Sequence, residues 1–219
     1  MRHEPSRIVL VTGASRGIGA EVARQLANPD THVLVNYRER DKRADAIVDA
    51  IRAAGGHAST LAADISDETD AAAMIDAIAA RFGRLDTLIL NASGGLELGA
   101  EPGYAMRLNR DAQRRLVQLA MPLMPVGGRI VYVTSHQAHF FPHKAVPKGY
   151  SAVAASKRAG ETALYAMRSA FEHAGIRFTV VSGDMVDGTF IPAAIVGAAN
   201  RPNPSGIVFV GGADYLMTA

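Results

Sequence analysis

Three glycines within seven residues pose the first chemical question. Gly13, Gly17 and Gly19 follow the apolar, β-branched run Ile8–Val11, and the chain then returns to helical spacing at Val22, Ala23, Leu26 and Ala27. A buried strand, a glycine-rich turn and a helix in that order aim backbone N–H groups and the positive end of a helix dipole at one place. Glycine is needed there because a side chain blocks the approach of an anion, and because tight turns often demand positive φ. The spacing is G-x-x-x-G-x-G, not G-x-G-x-x-G. The turn, with Ser15, Arg16 and Ile18 between its glycines, is therefore expected to hold a phosphate or pyrophosphate. A second chemical group, His136, His139 and His143, could supply an acid near neutral pH. These three read as partly exposed loop residues, with no helix and no matching carboxylate to fix metal geometry, so no metal is expected.

Residues so placed need a frame, and the rest of the chain supplies one. Thr31–Asn36, Ala58–Ala62, Leu85–Leu90, Arg129–Thr134, Arg177–Ser182 and Gly206–Val210 read as further strands. Helices are expected over Asp41–Ala54, Glu68–Phe82, Tyr104–Met121 and Gly149–Ala174. Strands alternating with helices of this length imply parallel pairing through right-handed crossovers. The expected fold is α/β: a Rossmann-like, doubly wound, seven-stranded parallel sheet in a single domain over residues 1–219. A net charge of +2 gives no electrostatic case for nucleic acid or membrane. The absence of cysteine excludes disulfides and thiolate chemistry. No apolar leader or membrane span is visible, and a cytoplasmic protein is the default expectation.

At this point the chain resembles the short-chain dehydrogenase/reductase family along nearly its whole length. Thr12, Gly13, Gly17 and Gly19 match its T-G-x-x-x-G-x-G, and Asp64 matches the acid after the third strand that contacts adenine. Asn91-Ala92-Ser93-Gly94 partly matches its N-N-A-G turn. Asn109 falls where the family has a helical asparagine in a proton relay, and Ser135 where it keeps its catalytic serine. Ser156-Lys157 matches the end of its Tyr-x-x-x-Lys element, whose lysine binds the nicotinamide ribose and lowers the tyrosine pKa. Gly183 and Thr189 sit like the glycine and threonine of the turn that closes on the nicotinamide, with Ser182 in place of proline. Val210-Gly211-Gly212 resembles the terminal strand and turn. Taken singly, Asp64 and Asn91 equally suit turn caps, and Lys157 a solvated surface. The cofactor is expected to be NADP rather than NAD. Asn36-Tyr37-Arg38 offers no acid to a ribose 2′-hydroxyl, and Arg16 with Arg38 could clamp a 2′-phosphate.

The pattern breaks at the acid. Four residues before Lys157, where the family has its tyrosine, stands Val153. Tyr150 is seven residues before the lysine, about 10 Å along a helix axis, with a phenol leaning away from it. It could serve only if the helix begins later and the loop His136–Gly149 folds it over Ser135. A second departure is the short Phe190–Ser205 segment, marked by Pro192, Pro202 and Pro204, which suggests an open or small lid. The resemblance implies an NADP-dependent oxidoreductase acting on a small carbonyl or alcohol through Ser135, Lys157, Asn109 and Tyr150. The alternative is a catalytically impaired, dinucleotide-binding regulatory or scaffold protein. The small and apolar residues of Ser151–Phe171 imply a homodimer or homotetramer.

Overall fold

Short apolar runs become strands buried on both faces. The computed structural model describes residues 5–97, 101, 103–184, 190–201 and 206–211. In it β1 (Arg7–Val11), β2 (Thr31–Tyr37), β3 (His57–Ala62), β4 (Thr87–Leu90), β5 (Arg129–Ser135), β6 (Arg177–Gly183) and β7 (Ile207–Val210) form one seven-stranded sheet. All pairings are parallel and the order is β3-β2-β1-β4-β5-β6-β7. The doubly wound sheet expected from the sequence is thus present. Its strand order reverses between β1 and β4, which opens a crevice at their C-terminal ends.

The connecting helices are α1 (Gly17–Leu26), α2 (Asp41–Ala53), α3 (Glu68–Phe82), α4 (Tyr104–Met106), α5 (Gln113–Ala120), α6 (His136–His139), α7 (Ser151–Tyr165), α8 (Arg168–Ala174) and α9 (Ile191–Asn200). Alternation along the strands decides which helix meets which side chain. Val9, Val11, Val33, Val131 and Val181 meet α1, α2 and α9 through Val22, Ile47 and Ile195. Ile8, Leu10, Leu88, Ile130 and Tyr132 face α3, α5 and α7 through Ile75, Leu116 and Leu164. Local signals set the ends of α3. Asp67 accepts from the backbone N–H groups of Thr69 and Asp70, and Gly83 closes the helix at φ +65°. Among the described residues no helix is long and apolar enough to cross a membrane.

Three expectations are corrected. The helix expected over Tyr104–Met121 is α4 and α5 joined by a π-helical stretch, Arg107–Ala112, which carries Asn109. The Gly149–Ala174 helix is two helices, since Gly149 at φ +86° delays the start of α7 and the chain breaks between Tyr165 and Arg168. Phe190–Ser205, expected as an open or small lid, is a packed helix in its described part. Residues 191–200 form α9, with Pro192 in the first turn, where a missing N–H costs nothing. Ile195 and Ala198 bury α9 against the sheet layer, while Pro202 and Pro204 lie outside the described residues.

The β2–β3 edge makes one stability prediction. The buried His32 ring is 2.8 Å from Ser59 Oγ. Burial, aided by Arg81, His57 and Arg52, lowers its pKa from 6.5 to about 4. Between those values the unfolded chain binds a proton that the native ring refuses, so stability falls as pH drops from 6.5 to 4, on the order of 3 kcal/mol in all. Denaturant titrations of wild type and His32→Gln across that range should show a shallower loss in the variant; identical slopes would refute the assignment.

Candidate active site

Hydrogen bonds at the ends of β1 and β4 build the crevice. The Thr12 hydroxyl donates to Ile89 O at 3.2 Å and accepts from the N–H groups of Asn91 and Ala92, each at 3.0 Å. The Asn91 amide donates to Thr12 O at 2.9 Å and Gly13 O at 3.3 Å. Asn36 anchors the turn from the other side, accepting from Gly13 N and donating to Leu61 O and Ala63 O. Gly13 and Gly17 have φ +62° and +56°. A Cβ on Gly13 would lie 3.0 Å from Ala92 Cα, and one on Gly19 2.5 Å from Asn91 Nδ2. These glycines therefore answer to sterics as well as to ligand approach.

No side chain caps α1 at Arg16, so the first N–H groups of that helix are left for an outside acceptor. They face a cavity of about 480 Å³ that all the predicted residues from Gly13 through Ser15, Arg16, Gly17, Ile18 and Gly19 line, together with Arg38, Asp64, Asn91, Ala92 and Ser93. An uncapped helix start, two guanidinium groups and a cleft of this size fit a dinucleotide's phosphates. Asp64 caps a turn as well as lining the cavity, accepting from Ser66 N and Ser66 Oγ. One expectation needs correcting here. An acid does stand near the end of β2: Glu39 lines the cavity and pairs with Arg38 Nε at 2.8 Å. Arg38 also donates to the Tyr104 hydroxyl, a residue that sequence reading left unassigned. The charged run Arg38–Arg43 contained the Glu39 signal, but its mixed signs hid it.

A second cavity of about 580 Å³ shares Arg16, Ile18, Asn91 and Ser93 with the first and runs to Ser135, Tyr150, Val153, Lys157 and Gly183. Here the structure departs from the helical extrapolation that sends the Tyr150 phenol away. Because the backbone turns at Gly149, Tyr150 caps α7, and its hydroxyl lies 3.2 Å from Ser135 Oγ, both side chains buried. Ser135 ends β5 and also accepts from Ala138 N at 3.3 Å. Val153 packs against Tyr150, Ala138 and Ala154. Lys157 is half-buried, and desolvation lowers its pKa from 10.5 to about 8. Asn109 holds the turn after β4. Its amide donates to Gly94 O and Ser156 Oγ, both at 2.9 Å, and its oxygen accepts from Gly94 N at 3.3 Å. Gly183 ends β6 beside Ser135, and Thr189 and Gly212 lie outside the described residues.

Of the three histidines expected as partly exposed loop residues, only His143 is one. His136 and His139 begin and end the single turn α6. His136 is fully buried between Ser182 Oγ and Gly211 O, and His139 meets the Glu161 carboxylate, while His143 is exposed. Sequence reading also missed Gly160. A Cβ there would lie 2.0 Å from Asn109 O, so α7 meets the π-helical stretch backbone to backbone. A lone glycine inside a helical pattern was the available signal.

With this geometry in place, comparison with known proteins is informative. The profile of the short chain dehydrogenase family matches residues 7–197. Elsinochrome reductase 1 of Elsinoe fawcettii is 35% identical over 163 residues, which are 71% of this chain and 59% of that protein. The 1-cyclohexenylcarbonyl-CoA reductase of Streptomyces collinus is 33% identical over 189 residues, 83% of this chain and 65% of that protein. The chain thus spans less than two thirds of the length of these relatives. A short chain dehydrogenase from Burkholderia cenocepacia J2315, solved in complex with NADP, superposes with a TM-score of 0.82 at 26% identity, covering 95% of this chain and 97% of that one.

The tight packing of the glycine turn is directly testable. Gly19→Ala must push Asn91 away from Thr12 and Gly13, and is expected to cost about 1–3 kcal/mol, the usual penalty of overpacking. Chemical denaturation checks this, and an unchanged midpoint would show that the crevice tolerates a methyl group.

Proposed function

The chain belongs to the short-chain dehydrogenase family, and from that premise we propose that it is an NADP-dependent oxidoreductase that moves a hydride between the cofactor and a small carbonyl or alcohol substrate. The observation that carries this reading is the 3.2 Å contact between the Tyr150 and Ser135 hydroxyls in a cavity that Lys157 also lines. When bound, the nicotinamide ring supplies or accepts the hydride. The chain's own residues do the rest. Ser135 and Tyr150 bracket the position of one substrate oxygen. Tyr150 gives its phenolic proton to that oxygen as negative charge develops on it, and Ser135 donates a hydrogen bond that holds it in place. In the oxidative direction the same groups receive the proton from the alcohol. The Lys157 ammonium stabilises the phenolate left on Tyr150, an effect strengthened by partial burial. Asn109 holds the Gly94 turn that forms one wall of the cavity. The apolar lining, including Val133, Val153 and Ile191, suits the carbon body of the substrate.

Within this reading Arg16 and Arg38 take the 2′-phosphate, and Glu39 weakens the preference by partly neutralising Arg38. The half-buried Ala155, Ala159 and Ala163 of α7 supply the face for a homodimer or homotetramer. The impaired, non-enzymatic alternative rests on Val153, and the contact between Tyr150 and Ser135 weighs against it.

Two measurements test the proposal. Tyr150→Phe should lower kcat about 100-fold or more in reduction of a carbonyl panel with NADPH, with cofactor affinity nearly unchanged. A silent variant would remove Tyr150 from its role, and no turnover in wild type despite firm NADPH binding would favour the impaired reading. For the cofactor, dissociation constants by calorimetry should favour NADPH over NADH. Arg38→Ala should erase most of that preference and Glu39→Gln should widen it. Equal affinities in wild type would end the NADP assignment.

A further inference from the structure

A buried histidine–carboxylate hydrogen bond lies behind the serine that the proposed reaction uses. Glu161 is fully buried on α7, one helical turn beyond Lys157. Its carboxylate faces His139 Nδ1 at 2.8 and 3.0 Å, and Oε1 also accepts from Arg158 Nη1 at 3.0 Å. A carboxylate only accepts, so Nδ1 of His139 carries the proton. The His139 side chain is itself only 11% exposed, with Phe140 and Phe209 rings edge-on to it at 4.8 and 5.3 Å. Burying a carboxylate on an inward helix face is costly, and an apolar residue would fill the space more cheaply.

The position of the pair suggests a purpose. His139 ends the turn α6, and Ser135 caps the start of that same turn, with Oγ accepting from Ala138 N. The other end of the turn is held by His136, which spans Ser182 on β6 and Gly211 beyond β7. The turn that aims Ser135 is therefore tied to the sheet through His136 and to α7 through His139. Since α7 carries Tyr150 and Lys157, the second tie sets the serine relative to the acid and the ammonium. We propose that the His139–Glu161 pair is a positioning device that registers the Ser135 hydroxyl against Tyr150. Neither residue touches the reacting atoms, and each acts through Ser135. The inference rests on the oxidoreductase reading for its kinetic consequence but not for its structural one.

Two variants separate positioning from mere stability. His139→Phe keeps the ring packing and removes the donor, whereas His139→Asn keeps an N–H near the place of Nδ1. His139→Phe is expected to lower kcat about 10- to 100-fold, the scale of an ångström-level misplacement, with NADPH affinity little changed; the melting temperature falls because Glu161 loses a partner, so kcat is read well below it. His139→Asn should recover most of the loss. In a Ser135→Ala background His139→Phe should cost nothing further, because its effect passes through the serine. Losses that multiply in the double variant, or an equal loss in His139→Asn and His139→Phe, overturn the proposal. If wild type shows no turnover, the oxidoreductase reading fails, and the pair is judged by ¹³C-tyrosine NMR, with the Tyr150 resonance identified by its absence in Tyr150→Phe. That resonance should move in His139→Phe and stay put when the same change is made on Ser135→Ala. An unmoved resonance in His139→Phe overturns the inference.

Discussion

The stitch between β1 and β4 is the constraint on which the molecule depends. One hydroxyl, that of Thr12, closes three hydrogen bonds across the point where strand order reverses, and the Asn91 amide closes two more. At any other strand end of an open sheet the chain can turn directly into its helix. Here the two connections leave in opposite directions, and backbone groups at both strand ends would otherwise lack partners. Satisfying them with buried side chains leaves the N–H groups of the following helix free. The crevice thus presents unpaired N–H groups at the start of α1, and the approach of Asn91 leaves no room for a side chain at Gly19.

A second constraint passes the same precision to the reactive end. Asn109 clasps both backbone groups of Gly94, and its own carbonyl meets α7 where Gly160 removes the side chain that would hold the helices apart. Tyr132 on β5 reaches the Lys157 carbonyl at 2.9 Å from beneath. The turn after β4, the π-helical stretch, α7 and β5 are therefore tied to one another by two buried side chains, Asn109 and Tyr132, each bonded to backbone atoms, and by the close approach at Gly160. Widening the helix by a π turn at Asn109 is the local cost of presenting that side chain sideways toward Gly94.

Much of this could be read in the sequence, for identifiable reasons. Buried parallel strands are nearly continuous apolar runs, so β1, β2, β5 and β6 announced themselves, and α3 carried its own capping residue and stop. The glycine turn, Asn91, Asn109, Ser135 and Lys157 stand out in the sequence because each is a residue type at a fixed place along the chain. What was hidden depends on pairing across the fold. Glu161 reads as one more polar residue on an amphipathic helix until His139 is brought against it. His136 and His139 read as loop because a four-residue turn has no periodicity to detect. The α9 segment reads as an open or small lid because it is short and marked by prolines, yet Pro192 occupies the one helical turn where proline is welcome.

Tyr150 shows what a motif does and does not encode. A phenol inside α7, four residues before Lys157, would be held by the helix itself. Moved to the cap position it has no such support, and other residues must supply it. Gly149 at φ +86° turns the chain in a way that other residues rarely can, which brings Tyr150 over the end of β5. Ala138 and Ala154 form the seat beneath the ring, and Val153 completes that seat at the position the tyrosine would otherwise occupy. A second large ring there would compete for the same volume, since Val153 is itself buried in this cluster. Val153 is thus part of the arrangement that holds Tyr150 rather than a gap in the site. A phenol within hydrogen-bond reach of Ser135 can thus be presented by the backbone from more than one position in the chain.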